Sequence, residues 1–247
     1  MTDGTSTGRT GGAQHPLEPL RRFYREAGVL APQDGLATVV LDGRPVRTPA
    51  KNLLAAPLPV AKAVAAEWNA QGETVLPLTM PLTRLVNTAI DGVAAAVDPV
   101  KDDIAKIAGN DLVLYRADRP EGLAGRQRAA WDPVVRGAEA RFGVRLVLTE
   151  GVMPVRQDER LSPAVRAALP DAPLPLAALH QLTTLTGSAF MALAVADGAI
   201  AFEDAWAAAH VDEDWNIMEW GEDAEAAERR ANRRRDAEAA AFVLATA

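Results

Sequence analysis

An α+β fold is predicted, with a small N-terminal sheet-and-helix unit followed by a larger all-helical bundle. Three observations point to it. Near the start, Leu36–Thr48 reads as strand, turn, strand around Asp42-Gly43, the dipeptide that supplies the positive backbone dihedrals of a tight hairpin turn. From about residue 79 the chain reads as amphipathic stretches punctuated by Pro and Gly at helix starts and ends. Aromatics make up only 5% of the chain and alanine carries much of the 49% apolar content, which suits closely packed helices.

The elements follow in order. Residues 1–16 read as a disordered tail, since MTDGTSTGRTGGAQ has no apolar core for a secretory signal and few basic residues for a presequence. Residues 17–78 form the small unit. Phe23 and Tyr24 are expected on a strand before the hairpin, Asn52-Leu53-Leu54 continues the sheet, and Pro45 and Pro49 confine their segments to an edge. A helix runs from about Pro59 to Gln71, with Val60, Val64 and Trp68 on one stripe and Gly72 as cap. Residues 79–247 form the bundle. Its predicted helices are Pro81 to Val93, one opened by Asp98-Pro99, Gly122 to Phe142 with a break or kink at Pro133, and one opened by Ser162-Pro163. After a Pro-rich loop over 170–175 come Leu176 to Val195, Phe202 to Trp220 and Ala224 to Leu244. Arg145 to Leu148 reads as a short β-like run, and Leu112–Arg116 as a helix end or a buried extended segment.

Several chemistries are excluded or unsupported. There is no cysteine, so disulfides, thiolate metal sites and cysteine nucleophiles are absent, as in a protein of a reducing cytoplasm. A net charge of −7 argues against nucleic acid as the main partner. No run reaches the roughly 18 apolar residues of a membrane span, so no membrane insertion is expected. The three histidines His15, His180 and His210 are far apart and make no metal-ligand pair; no metal or cofactor is expected. Ser188 lies in TGSAF, without a nucleophile elbow, and no phosphate-binding loop is present.

Charge is segregated instead. Between Ala167 and Glu228 stand twelve Asp and Glu and no Lys or Arg; Arg229, Arg230, Arg233, Arg234 and Arg235 follow directly. Either the arginines fold back onto the acids, or the acidic face meets a basic partner. On a continuous helix from Phe202, the residues Phe202, Trp206, Ala209, Ile217 and Trp220 share one stripe onto which Glu213 also projects. Val211, Trp215 and Met218 lie opposite, with Asp212 and Asp214 beside Trp215. An indole rimmed by acids is the chemistry of an interface anchor. A helix buried on both sides is the alternative.

Together, MPLTRLVNTAID, LDGRPVRTPAKNLL, GNDLVLYRA, QRAAWDPVV and WNIMEWG resemble the assembly-chaperone family for the F1 part of ATP synthase, over roughly Leu17 to Arg235. The resemblance implies a two-domain, non-enzymatic chaperone that binds the free F1 alpha subunit and protects its beta-facing surface. The family's acid-x-acid-aromatic-Gln-Ile-x-x-Trp-Gly pattern falls on Asp212, Asp214, Trp215, Asn216, Ile217, Trp220 and Gly221, with Asn216 where Gln is usual. EDAEAAERR follows Gly221 in place of the acid-plus-His-Asp signature of mitochondrial members, and with no presequence seen a bacterial, cytoplasmic member is expected. The expected client contacts are Asp212, Glu213, Asp214, Trp215, Asn216, Met218 and Glu219; Pro81, Arg84, Asp91, Trp220 and Gly221 are expected to be structural. The chaperone is expected to be a monomer when free. Two competing readings are an enzyme using clustered carboxylates on a small polar substrate, and an interaction module with an unrelated partner.

Overall fold

The computed structural model describes residues 20–151 and 153–246; the expected tail over 1–16 lies outside them. A small sheet near the N-terminus is followed by a mostly helical part, an α+β arrangement. Strand β1 is Ala27–Val29, β2 Leu36–Leu41, β3 Arg44–Pro45 and β4 Ala55–Pro57. β2 is central: it pairs antiparallel with β1 (Ala27 opposite Leu41), with β3 (Leu41 opposite Arg44) and with β4 (Ala37 opposite Ala56). Asp42 (φ 48°) and Gly43 (φ 76°) make the hairpin turn, both with the positive φ of a primed turn. The Asp42 carboxylate also accepts the backbone amides of Arg25 and Glu26, which tucks the incoming chain against the hairpin. Phe23 and Tyr24 precede the first strand instead of lying on it, because their stretch is held by Arg22 N donating to Glu73 O and by side-chain bonds. Leu53 makes only an isolated bridge to Arg47, and the sheet is continued by β4.

Helix α1, Leu58–Asn69, lays Val60, Ala61, Val64 and Ala65 on the sheet. It ends at Ala70, before Gly72, and Trp68 stands edge-on to Tyr24 at 5.5 Å. A 3-10 turn over Pro77–Thr79 leads to α2, Pro81–Asp91. No side chain of its own caps the start of α2. Glu67 of α1 does so instead, accepting Leu82 N at 2.7 Å, Thr83 N at 2.8 Å and the Thr83 hydroxyl at 2.7 Å. At the other end of α2, Asp91 accepts the Thr48 hydroxyl, Ala50 N and the Asn52 amide, fastening the loop after the hairpin. One continuous apolar core runs from Tyr24 through these contacts to Val243.

The remaining elements are α3 (Val97–Ala108), a 3-10 turn Leu112–Leu114, β5 (Tyr115–Arg116), α4 (Glu121–Phe142), β6 (Thr149–Glu150) and α5 (Leu161–Ala167). They are followed by α6 (Pro173–Thr186), α7 (Ala189–Ala196), α8 (Phe202–Ala209), α9 (Val211–Trp220) and α10 (Ala224–Thr246). α6 is the hub, packing against α2, α3, α7 and α10. Its buried Leu176, Ala177, Ala178, Leu179 and Leu182 surround the axis, as expected of a helix apolar all round.

Several boundaries differ from expectation. Ala96, not Asp98, precedes α3, and Asp98 sits in its first turn. α4 runs unbroken through Pro133. The β pairing is at Thr149–Glu150, parallel to β5, and not over 145–148. Pro173 and Pro175 belong to the first turn of α6, where a missing N–H costs nothing. The span Leu176–Val195 is two helices, parted by Gly187 at φ 69° and restarted by Ser188, whose hydroxyl accepts Met191 N at 3.0 Å. Asp111, fully buried, ties this restart to the 3-10 turn by accepting Val113 N and Phe190 N. No described helix is long and apolar enough to cross a membrane.

Candidate protein-binding surface

The acidic helix does not continue from Phe202. The chain breaks at His210, where α8 ends and α9 begins. His210 is buried, its Nδ1 lies 2.8 Å from Trp206 O, and its ring packs on the Trp206 ring at 4.0 Å. Burial pushes its pKa down, against the opposing pull of the Trp206 carbonyl. Trp131 on α4 fixes the same corner, its indole N–H donating to Ala208 O at 2.7 Å. Past this corner a 100°-per-residue projection from Phe202 no longer holds, so the two-faced stripe is corrected: Trp206 is core, while Trp220 is 85% exposed. The run Asp212-Glu213-Asp214 is the first turn of α9, where carboxylates favour the positive end of the helix dipole. That pattern is a helix-start signal, and it could have marked the break.

Each expected contact residue has a definite place. Asp212 accepts the Gln127 amide at 2.7 Å, and Gln127 in turn accepts Ala117 N. Glu213 pairs with Arg233 at 3.1 Å and lies 3.8 Å from His210 Nε2. Asp214 pairs with Arg230 at 2.5 Å. On α8, Glu203 pairs with Arg234. The arginines of α10 thus fold back on the acids of α8 and α9 within the same chain, one of the two expected accounts of the charge segregation. Trp215 is half-buried: its ring edge lies against Gly122 of α4 and the Arg126 guanidinium sits 5.1 Å from the ring centre. Arg126 also reaches Met218 Sδ at 3.1 Å. Gly122 and Arg126 were not singled out by the sequence, because nothing local to α4 says what covers its first turns.

Beyond Trp215 the helix emerges. Asn216, Met218 (51% exposed), Glu219 and Trp220 face outward, and Gly221 at φ 88° turns the chain toward α10. Asp223 caps α10 by accepting Ala226 N. Among the described residues Glu219, Glu222 and Asp223 make no ion pair. Trp220, expected to be structural, therefore lies outside the core, at the tip of an acidic, apolar projection. Of the other residues expected to be structural, Pro81 is the first residue of α2, Arg84 pairs with Asp236 of α10, and Asp91 accepts the Thr48 hydroxyl of the hairpin loop. His180 meets Asp103 at 2.8 Å. No group of three or more His, Asp or Glu among the described residues could hold a metal ion. An enzymatic carboxylate pair would need convergent acids in a cleft; the acids of α9 are instead spread along a surface, with Glu213 and Asp214 paired to Arg233 and Arg230.

The family model described as ATP12 chaperone protein matches residues 21–139. The solved structure of Atu1473 from Agrobacterium tumefaciens, considered a chaperone, superposes with a TM-score of 0.86 at 48% identity, covering 92% of this chain and 85% of that one. The crystal structure of Atp12 from Paracoccus denitrificans superposes with a TM-score of 0.81 at 38% identity, covering 92% of this chain and 98% of that one. The chain belongs to the ATP12 chaperone family. This is an ATP synthase assembly chaperone family. Within the ATP12 fold seen here, the matched segment 21–139 comprises the sheet, α1 to α3 and most of α4. The acidic projection lies outside that segment but on the helix that α4 supports.

Proposed function

We propose that this ATP synthase assembly chaperone acts without catalysis by binding the free F1 alpha subunit and covering the surface that alpha later gives to beta. One observation carries the choice of contact surface. Trp220 and Met218 stand exposed beside Glu219, Glu222 and Asp223, carboxylates without a basic partner among the described residues. Tryptophan buries up to about 200 Å² at an interface. Covering a residue as open as Trp220 is therefore worth about 3–5 kcal/mol before ordering costs. A few such anchors inside a charged rim give binding firm enough to shield an apolar client surface, yet weak enough for beta to displace the chaperone. In this reading Asn216, Met218, Glu219 and Trp220 touch the client. Asp212, Glu213 and Asp214 hold α9 in place through Gln127, Arg233 and Arg230. Trp215, wedged over Gly122, stiffens the base.

The test is binding of purified F1 alpha to the Trp220→Ala, Met218→Ala double variant. Trp220 is mostly in solvent and Met218 half so, with its sulfur against Arg126, so thermal stability should stay close to the parent's. Affinity for alpha should fall at least tenfold, the equivalent of about 1.4 kcal/mol. A well-folded double variant that binds alpha as the parent does would remove α9 from the contact; a parent that binds no alpha would remove the client assignment itself.

A further inference from the structure

The sheet end of the molecule carries the opposite charge to its body. The chain as a whole has a net charge of −7, but residues 20–78 hold seven Lys and Arg against five Asp and Glu. None of Arg21, Arg22, Arg25, Arg44 and Arg47 pairs with a carboxylate among the described residues. Two of the five acids are already committed to amides: Asp42 to Arg25 N and Glu26 N, and Glu67 to the start of α2. Arg22 is steadied by the backbone carbonyls of Tyr24, Arg25, Asn69 and Gln71 and by the face of the Tyr24 ring, and Arg47 by the carbonyl of Lys51. Their charge is therefore oriented but not neutralised.

Two clefts meet at Tyr24 in this region. One, of about 520 Å³, is lined by Phe23 and Trp68 and by Asp42, Arg44, Val46 and Arg47 of the hairpin. The second is a wider basin lined by Arg21, Arg22, Arg25 and Glu73. Phe23 is 65% exposed although it packs edge-on to Tyr24 at 5.4 Å. Leu20, whose carbonyl accepts Val75 N, and the adjoining Leu76 are exposed as well. Apolar and aromatic walls under unpaired guanidinium groups are a composition found at the centres of protein interfaces.

We infer that this saddle docks an acidic peptide segment bearing an aromatic or aliphatic side chain, presented by a partner protein. The carboxylates meet Arg44 and Arg47, and the apolar side chain enters between Phe23 and Trp68. Charge complementarity selects this occupant. A nucleic acid fits worse, because a polyanion extending past the patch meets a body whose net charge is strongly negative. Strand addition does not account for the site either. The outer strand β3 is only Arg44–Pro45, and Pro45 has no amide to donate, so side chains rather than a backbone ladder must do the recognising. The surface is separate from the projecting end of α9 and does not depend on the identity of the client there.

The experiment is a titration of the full-length protein with a short peptide of glutamates interrupted by Leu and Phe, followed by the indole resonance of Trp68. That N–H makes no hydrogen bond within the described structure, so an occupied cleft should move its signal. The signal is assigned with Trp68→Phe. A saturable shift is expected with the glutamate peptide and not with the same peptide carrying lysines. Affinity should drop about tenfold or more in Arg44→Glu, Arg47→Glu and in high salt, while Trp220→Ala leaves it unchanged. The milder Arg44→Gln, Arg47→Gln pair should show the same direction if the reversal disturbs folding. An unmoved Trp68 resonance, equal binding of the lysine peptide, or undiminished affinity in the folded Gln pair overturns the inference. Tighter binding of a short single-stranded DNA than of the glutamate peptide overturns the choice of partner class.

Discussion

Gly122→Ala should destabilise the protein, although a glycine inside a helix is ordinarily improved by alanine. Gly122 is the second residue of α4, and a Cβ built on it would lie 2.6 Å from Trp215 Cη2 and 3.0 Å from Cζ3. Carbon atoms settle at about 3.5–4.0 Å, so the indole must retreat by about 1 Å. It cannot do so freely: the Arg126 guanidinium sits 5.1 Å from the ring centre and also holds Met218. Overpacking of this size costs about 1–3 kcal/mol. The alanine returns about 0.5–1 kcal/mol through reduced chain entropy, leaving a net loss of about 1 kcal/mol. In a Trp215→Ala background the obstruction is gone, and the same substitution should stabilise by about 0.5–1 kcal/mol. Urea unfolding of the four proteins, followed by far-ultraviolet circular dichroism, gives the coupling directly. A change of sign between backgrounds, with a coupling of about 1–3 kcal/mol, is expected. If Gly122→Ala stabilises both backgrounds equally, α9 does not rest on α4 through Trp215, and the orientation derived for the projecting tip is wrong.

Asp111 should contribute a loss of stability as the pH rises from about 4 to 7. Unfolded, this carboxyl ionises near pH 4; folded, burial raises its pKa to about 7 against the lowering pull of Ser188 and the amides of Phe190 and Val113. Between those values only the unfolded state sheds the proton, which costs the fold about 1.4 kcal/mol per pH unit. Asp111→Asn should flatten that slope in urea titrations at several pH values. It should also start from lower stability, since its NH2 group would face an amide donor; equal slopes would refute the assignment. Asp91→Ala should leave the protein folded but free Ala50 N directly, and loosen Asn52 N through Thr48, whose hydroxyl accepts Asn52 N while donating to Asp91; hydrogen exchange reads this as faster exchange confined to that loop. Exchange spreading through α2 would mean instead that Asp91 holds the helix, not the loop.

Much of this architecture was legible from local chemistry. The Asp42-Gly43 turn dictates the hairpin wherever the chain later packs, and Pro59, Pro81 and Pro163 mark helix starts because a missing N–H is harmless only there. The motifs spread from the hairpin to Trp220-Gly221 were enough, taken together, to point to the family. The break at Gly187-Ser188 was written in the sequence too, as a left-handed glycine followed by a capping serine. The break at His210 was marked by the acidic turn after it, but two tryptophans at helical spacing argued more loudly for one continuous stripe. What no local reading could supply were the long-range partners. Arg230 and Arg233 neutralise Asp214 and Glu213 only because α10 folds back along α9, and Glu67 caps a helix that begins fourteen residues later. Periodicity says which residues share a face, but which face meets solvent depends on what the rest of the chain lays over it. For this reason Trp206 and Trp220, identical in chemistry and near in sequence, lie one in the core and one in water.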